Sequence, residues 1–231
     1  MSEDLVEGKS ESIKIGDRLD EVLAIRDLKS LVNKYFENKP NDPFAGKLFD
    51  TIENHGCKTD QNKISVSDLL ALNLLDVSAG PIAIKILLSG DFDNCLVDVN
   101  SDCDIWNPSE DALQKASEFW TKLDKIKGLG RTKISKLCAR KRPRLIPITD
   151  SIVERVLNFK VKDCPLDFWQ DLGKALNEER IEKIRDLIPQ INEYEPTILR
   201  TLDVAIWMIG SNSKSAQKAR GEFGLGKEPI F

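Results

Sequence analysis

The sequence predicts a compact all-α domain, and three observations carry the prediction. Apolar residues recur at three- and four-residue steps along most of the chain, which is the repeat of a one-sided helix. No stretch alternates polar and apolar residues in the manner of a half-buried strand. Prolines and glycines fall between the periodic windows, where they stop one element and open the next.

Each element follows in order. Residues 1–16 are polar and read as a flexible N-terminal tail. From Asp17, Leu19, Val22, Leu23, Ile25, Leu28, Leu31, Val32, Tyr35 and Phe36 keep a helical repeat until Pro40 and Pro43 break it. FAGKLFDTIENHG reads as a short helix ended by Gly56. ISVSDLLALNLLDV is an apolar helix with Ser67 as its N-cap, and GPIAIKILLSG is a helix framed by Pro81 and Gly90. DFDNCLVDVNSDCDIW has no clear period.

Ser109 caps a helix whose face is Leu113, Ala116, Phe119, Trp120 and Leu123. DFWQDLGKAL, EERIEKIRDLIPQI and PTILRTLDVAIWMIG follow, punctuated by Pro165, Asn177, Pro189, Pro196 and Gly210. Roughly nine to eleven helices therefore fill one domain over residues 17–210, and residues 211–231 read as a loosely packed, polar C-terminal tail.

Composition narrows the function. The 231 residues are 41% hydrophobic and 31% charged, enough for a real core. No run is long and apolar enough for a membrane span, and the start of the chain lacks a signal pattern, so the expected location is the cytoplasm. The five cysteines (Cys57, Cys95, Cys103, Cys138, Cys164) are odd in number and form no C-x-x-C pair, which argues against a disulfide framework, a zinc site or an iron–sulfur cluster. His55 is the single histidine, so histidine-based triads and multi-histidine metal sites lack their residues. No cofactor or metal is expected.

The net charge of −4 hides an uneven distribution. Between Lys122 and Arg144 stand ten bases against Asp124 alone, a local net of +9. Such a field attracts phosphate backbones. Within this run, Gly128-Leu129-Gly130 makes a tight turn between two helices. Its glycines open close backbone approach, and the second helix aims free amides at the turn, which is the design of an anion site. No strand precedes the turn and no Lys-Ser/Thr follows it, so neither a dinucleotide fingerprint nor a Walker A loop is present.

IKGLGRTKISKL followed by IPITDSIVERVL resembles the hairpin and catalytic segments of the helix–hairpin–helix DNA glycosylase superfamily. In those base-excision enzymes an L-P-G-V-G-x-x-T-A hairpin precedes V-D-T-H-V-x-R-V. Asp150 falls at the catalytic carboxylate, Ser151 at the Thr, Ile152 at the His and Arg155 at the Arg, with 20 residues from Gly130 to Asp150. Upstream, SVSDLLALNLLDVS is similar to the family's early core helix, but Asp76-Val77-Ser78 stands where that family has a Gln-containing loop. Thr132 occupies the position of the Schiff-base lysine of bifunctional members, and Lys133 lies about 100° round the helix from it, so no lyase step is expected. The chain is also similar, over most of residues 35–210, to a bacterial family of uncharacterised proteins with K-L-L-A-R-K-R-P-R-L-I-P-V-Y-D and a late L-R-x-L-D-V-x-x-W-M. That family brings no activity with it.

The resemblance implies binding of double-stranded DNA through Gly128, Leu129, Gly130, Arg131, Thr132, Lys133, Arg140, Lys141, Arg142 and Arg155. It implies a monofunctional N-glycosylase in which Asp150 stabilises the oxocarbenium character at the sugar. Read from the residues alone, Asp150 beside the Ser151-x-x-Glu154 capping box is equally a helix-start residue. Two other roles stay open: a non-enzymatic DNA-binding module, or a protein-interaction domain whose Arg140, Arg142 and Arg144 pair with acids, including the domain's own.

Overall fold

The computed structural model describes residues 14–37, 44–56, 60–161, 163–191 and 194–231. Residues 1–13 of the expected tail, the break at Pro40 and Pro43, Cys57 and the side chain of His55 lie outside the described residues. Within them the fold is all-helical and compact, with no strand beyond isolated bridges at Asp60–Lys63 and Asp104–Asn107. No described helix is long and apolar enough to cross a membrane.

The helices are α1 (14–23), α2 (Leu28–Phe36), α3 (Val66–Leu74), α4 (Pro81–Leu87), α5 (Asp93–Val97), α6 (Ala112–Asp124), α7 (Arg131–Lys141), α8 (Ser151–Val156), α9 (Leu166–Ala175), α10 (Glu178–Arg185), α11 (Ile198–Gly210) and α12 (Lys214–Glu222). Two 3₁₀ turns, Ala45–Phe49 and Ile52–His55, stand where one short helix is read from sequence. DFDNCLVDVNSDCDIW, without a clear period, contains the single-turn helix α5.

One hydrophobic core runs through the molecule, gathered around two helices. α11 is buried nearly all round, and packs on α2, α8, α10 and α12. That is what its almost unbroken apolar sequence requires. α6 is one-sided and packs on α5, α7 and α9, with α7 also against α3. Trp120 and Trp169, buried between α6 and α9, meet edge to face with centroids 5.9 Å apart. Packing there, not ligand stacking, accounts for these two rings.

Several boundaries differ from the sequence reading, each for a local reason. The cap of α3 is Ser65, not Ser67. Ser65 and Asp68 form a reciprocal capping box, which the Ser67 register cannot supply. α6 starts after Asp111, not after Ser109, whose amide donates to the Cys103 sulfur at 3.1 Å. α8 is capped by Asp150 itself, and Ser151 is its first helical residue. Residues 14–16 are helical, and Ile15 is buried.

The largest correction is the C-terminal tail. Residues 214–222 form α12, packed on α2 and α11, with Ala216 and Ala219 buried. The fully buried Arg220 donates to the carbonyls of Met208 (2.7 Å), Ser211 (2.8 Å) and Lys227 (2.7 Å). Small alanines and a guanidinium bonded to backbone hold this segment down. Their composition looks polar, so burial here is invisible to hydropathy.

Candidate functional site

The basic segment begins in the turn between α6 and α7. Ile126 and Leu129 are buried and lock the angle between the helices. Gly128 sits at φ 88°, a conformation that strains any L side chain. Gly130 has an ordinary backbone (φ −69°, ψ 162°) as the N-cap of α7, and a side chain there would meet open space. The amides of Gly130, Arg131 and Thr132 have no acceptor among the described residues, as expected at a first helical turn. Lys133 folds back, its Nζ donating to the Gly128 carbonyl at 3.0 Å. Arg131 is exposed and reaches the Val161 carbonyl (3.2 Å) and Asp163 (3.4 Å). Lys122, Lys125 and Lys127 are exposed beside the turn, and Thr132 is half-buried. Of the residues expected to touch DNA here, Leu129 has only its backbone to offer.

The other end of the segment turns inward, which removes Arg140, Lys141 and Arg142 from the expected DNA contacts. Asp68, at the start of α3, accepts from Arg140 Nε (3.2 Å) and from Lys141 Nζ (2.9 Å), and all three side chains are more than nine-tenths buried. Arg140 also meets Glu53 at 2.7 Å. Burial pushes the Lys141 ammonium down from its usual value, with Asp68 opposing.

Arg142 is only 1% exposed. Its donors go to the carbonyls of Val99, Leu96, Gln61 and Lys141 and to Asn62 Oδ1, which uses all five N–H groups. Arg144 is exposed but held by a two-point bond to Asp104 (2.8 and 2.7 Å). These cations thus pair with the domain's own acids and carbonyls. Arg155 is exposed, and its guanidinium donates to the carbonyls of Gly210 and Phe231, tying α8 to the end of α11 and the last residue.

Between the two ends runs the segment that delivers Asp150. Leu145, Ile146, Ile148 and Thr149 are buried, and the Thr149 amide donates to Ser135 Oγ of α7. Ser135 lies about 8 Å along α7 from Gly130. Asp150 follows at once and caps α8, its Oδ1 accepting from the amides of Ile152 (3.0 Å) and Val153 (3.1 Å). Its Oδ2 has no hydrogen-bond partner among the described residues.

Asp150 lines a cleft of about 150 Å³ with Tyr35, Asp76, Lys136, Asp203 and Trp207. Lys136 donates to the Leu75 carbonyl at the end of α3 (2.9 Å), and Asp76 takes a left-handed backbone at φ 57°. The cleft floor is a charged knot on α11. Arg200, 5% exposed, donates to Asp50 (2.7 Å), Asp203, the Tyr35 hydroxyl (3.1 Å) and the Gly46 carbonyl (2.8 Å). Asp203 is pushed up to about 6, chiefly by burial and further by the charge of Asp150, while Arg200 pulls the other way. The Tyr35 hydroxyl is likewise pushed up by burial.

Of the expected site residues, Asp150 alone lies in the cleft. Asp203, Arg200 and Lys136 are absent from the site as read from sequence, where Trp207 is one of four tryptophans that could wall a pocket. A signal for three of them is present: in LRTLDVAIWM, Arg200, Asp203 and Trp207 sit at i, i+3 and i+7, one stripe of a helix. A family model described as "Family of unknown function (DUF6308)" matches residues 28–210 of the chain. No curated protein and no solved structure matches it.

Proposed function

The chain belongs to the family of unknown function DUF6308, and we propose that it binds double-stranded DNA in the manner of the helix–hairpin–helix glycosylases and acts as a monofunctional N-glycosylase with Asp150 as its carboxylate. One observation carries this reading. Asp150 keeps one unpaired oxygen in a cleft, on a segment hydrogen-bonded to the helix whose first turn leaves three amides unpaired. A backbone phosphate accepting from the amides of Gly130, Arg131 and Thr132, with Lys125, Lys127 and Arg131 around it, anchors the duplex. At Gly130 a side chain would meet open space, so the turn leaves room for a close backbone approach.

In the cleft, a base turned out of the stack meets Tyr35 and Trp207, and the Asp150 carboxylate stabilises the cationic sugar and orients water. Capping and catalysis do not compete, since Oδ1 holds the helix and Oδ2 remains available. Lys133 is engaged at the hairpin carbonyl, which supports hydrolysis without a lysine adduct.

The test is release of abasic sites from duplexes that each carry one altered base. Asp150→Asn should lose at least about a hundredfold in rate, with binding unchanged. Equal rates for the variant remove Asp150 from the chemistry. Borohydride trapping on abasic DNA should yield no adduct, and an adduct lost in Lys136→Gln moves the activity to a lyase. Binding itself should weaken steeply with salt, by a slope of about 0.9 per phosphate contacted.

A further inference from the structure

A departing uncharged base leaves as an anion unless a proton is supplied to it, and Asp150, placed to stabilise the cationic sugar, is the wrong group to give one. A second carboxyl lines the same cleft. Asp203 enters from α11 while Asp150 enters from the start of α8. Arg200 Nη1 holds Asp203 Oδ2, and Oδ1 has no hydrogen-bond partner among the described residues. We infer that Asp203 is the proton donor of the cleft, that it works with Asp150 as a two-carboxylate site, and that the substrate is therefore an uncharged base. This rests on the glycosylase reading of the cleft.

The surroundings suit the role. Facing Asp203 are Arg200 on its own helix, Asp150 at the start of α8, Lys136 from α7, Asp76 after α3, Asp50 beyond the first 3₁₀ turn and Tyr35 from α2, with Tyr194 acting on the same knot through Arg200. Burial and the Asp150 charge favour the protonated form. The two cations keep the carboxyl within reach of neutral pH, near 6.

The step balances without another reactant. The bond between the sugar C1′ and the base nitrogen breaks, and its electron pair goes to the base. Asp203 Oδ1 passes its proton to the base, and the carboxylate left behind is held by Arg200. Water adds to C1′ and gives its proton to Asp150, and solvent restores both groups. The products are a free base and an abasic sugar.

The experiment compares single-turnover base release from duplexes carrying uracil, hypoxanthine or N7-methylguanine, over about pH 5 to 8. The enzymes are the wild type and Asp203→Asn. The wild-type rate on the two neutral bases should fall as pH rises through about 6. Asp203→Asn should lose that dependence and at least about tenfold in rate on both, and change N7-methylguanine, which leaves without an acid, by less than about twofold. An unchanged rate and pH profile on the neutral bases overturns the role of Asp203 and leaves the glycosylase reading standing. No release by the wild type from any duplex overturns both. Should Asp203→Asn fail to fold, carboxyl ¹³C titration of the wild type decides: a carboxyl titrating near 6 that moves down in Asp150→Asn is expected, and cleft carboxyls that all titrate in the ordinary aspartate range overturn the assignment.

Discussion

The basic segment has two ends with opposite fates. Around Gly128, Lys122, Lys125, Lys127 and Arg131 stand in solvent and present their charge outward. Ten residues on, Arg140, Lys141 and Arg142 are buried, and their charge is spent on Asp68, Glu53 and backbone carbonyls. The residue types are similar, so the difference lies in what packs opposite. α7 runs from an open turn into the body of the molecule, where α3 presents Asp68 and the loops at residues 60–62 and 96–99 present carbonyl oxygens. A run of bases in sequence is therefore no measure of a surface field. Only the half that stays in solvent remains to attract a polyanion.

Breaking the inner end should have the largest effect. Arg142→Met leaves several buried carbonyls without donors and should cost about 3–5 kcal/mol in urea unfolding. A loss under about 1 kcal/mol shows that these oxygens find water instead. Next comes pH, through the cleft floor. Burial raises the folded Asp203 carboxyl from the ordinary aspartate value of 3.8 to about 6. Its contribution is thus fully present below about pH 4 and is lost as pH rises through 6, by roughly 3 kcal/mol at most. The stability difference between wild type and Asp203→Asn should fall across that window, and a flat difference contradicts the burial of the charge.

Smaller again is the cap. Asp150→Ala should cost about 1 kcal/mol, and Asp150→Asn only a few tenths, because Asn caps equally well. Equal costs for the two, read from thermal melts, mean that something other than capping holds the position. At the outer end, Lys125→Gln with Lys127→Gln should change stability by no more than about 0.5 kcal/mol. The same pair should lower the salt slope of duplex binding by nearly 2. An unchanged slope takes the hairpin face out of the DNA contact.

How much was legible follows the same division. Helices α6 and α7 were readable by their one-sided apolar faces and α11 by its almost unbroken apolar run, and Asp150 because a 20-residue spacing and a helix start point to it. The burial of Lys141 and Arg142 was not readable, since their partners lie 73 and 80 residues away in sequence. Arg200, Asp203 and Trp207 carried a helical-face signal, yet nothing local says that this face meets Asp150. The segment after Gly210 looked loose because alanine and arginine carry little hydropathy, although Arg220 is fully buried.

By itself the sequence determined the all-α class, the glycine turn at Gly128 and a helix start at Asp150 and Ser151. Each of these depends on side chains within a few residues of one another, through helical periodicity, backbone freedom and amide satisfaction. Tertiary structure alone decided which cations face water and which carboxyls share a cleft. Both depend on desolvation and on partners from distant helices, and a buried charge is tolerated only where the fold brings its acceptor.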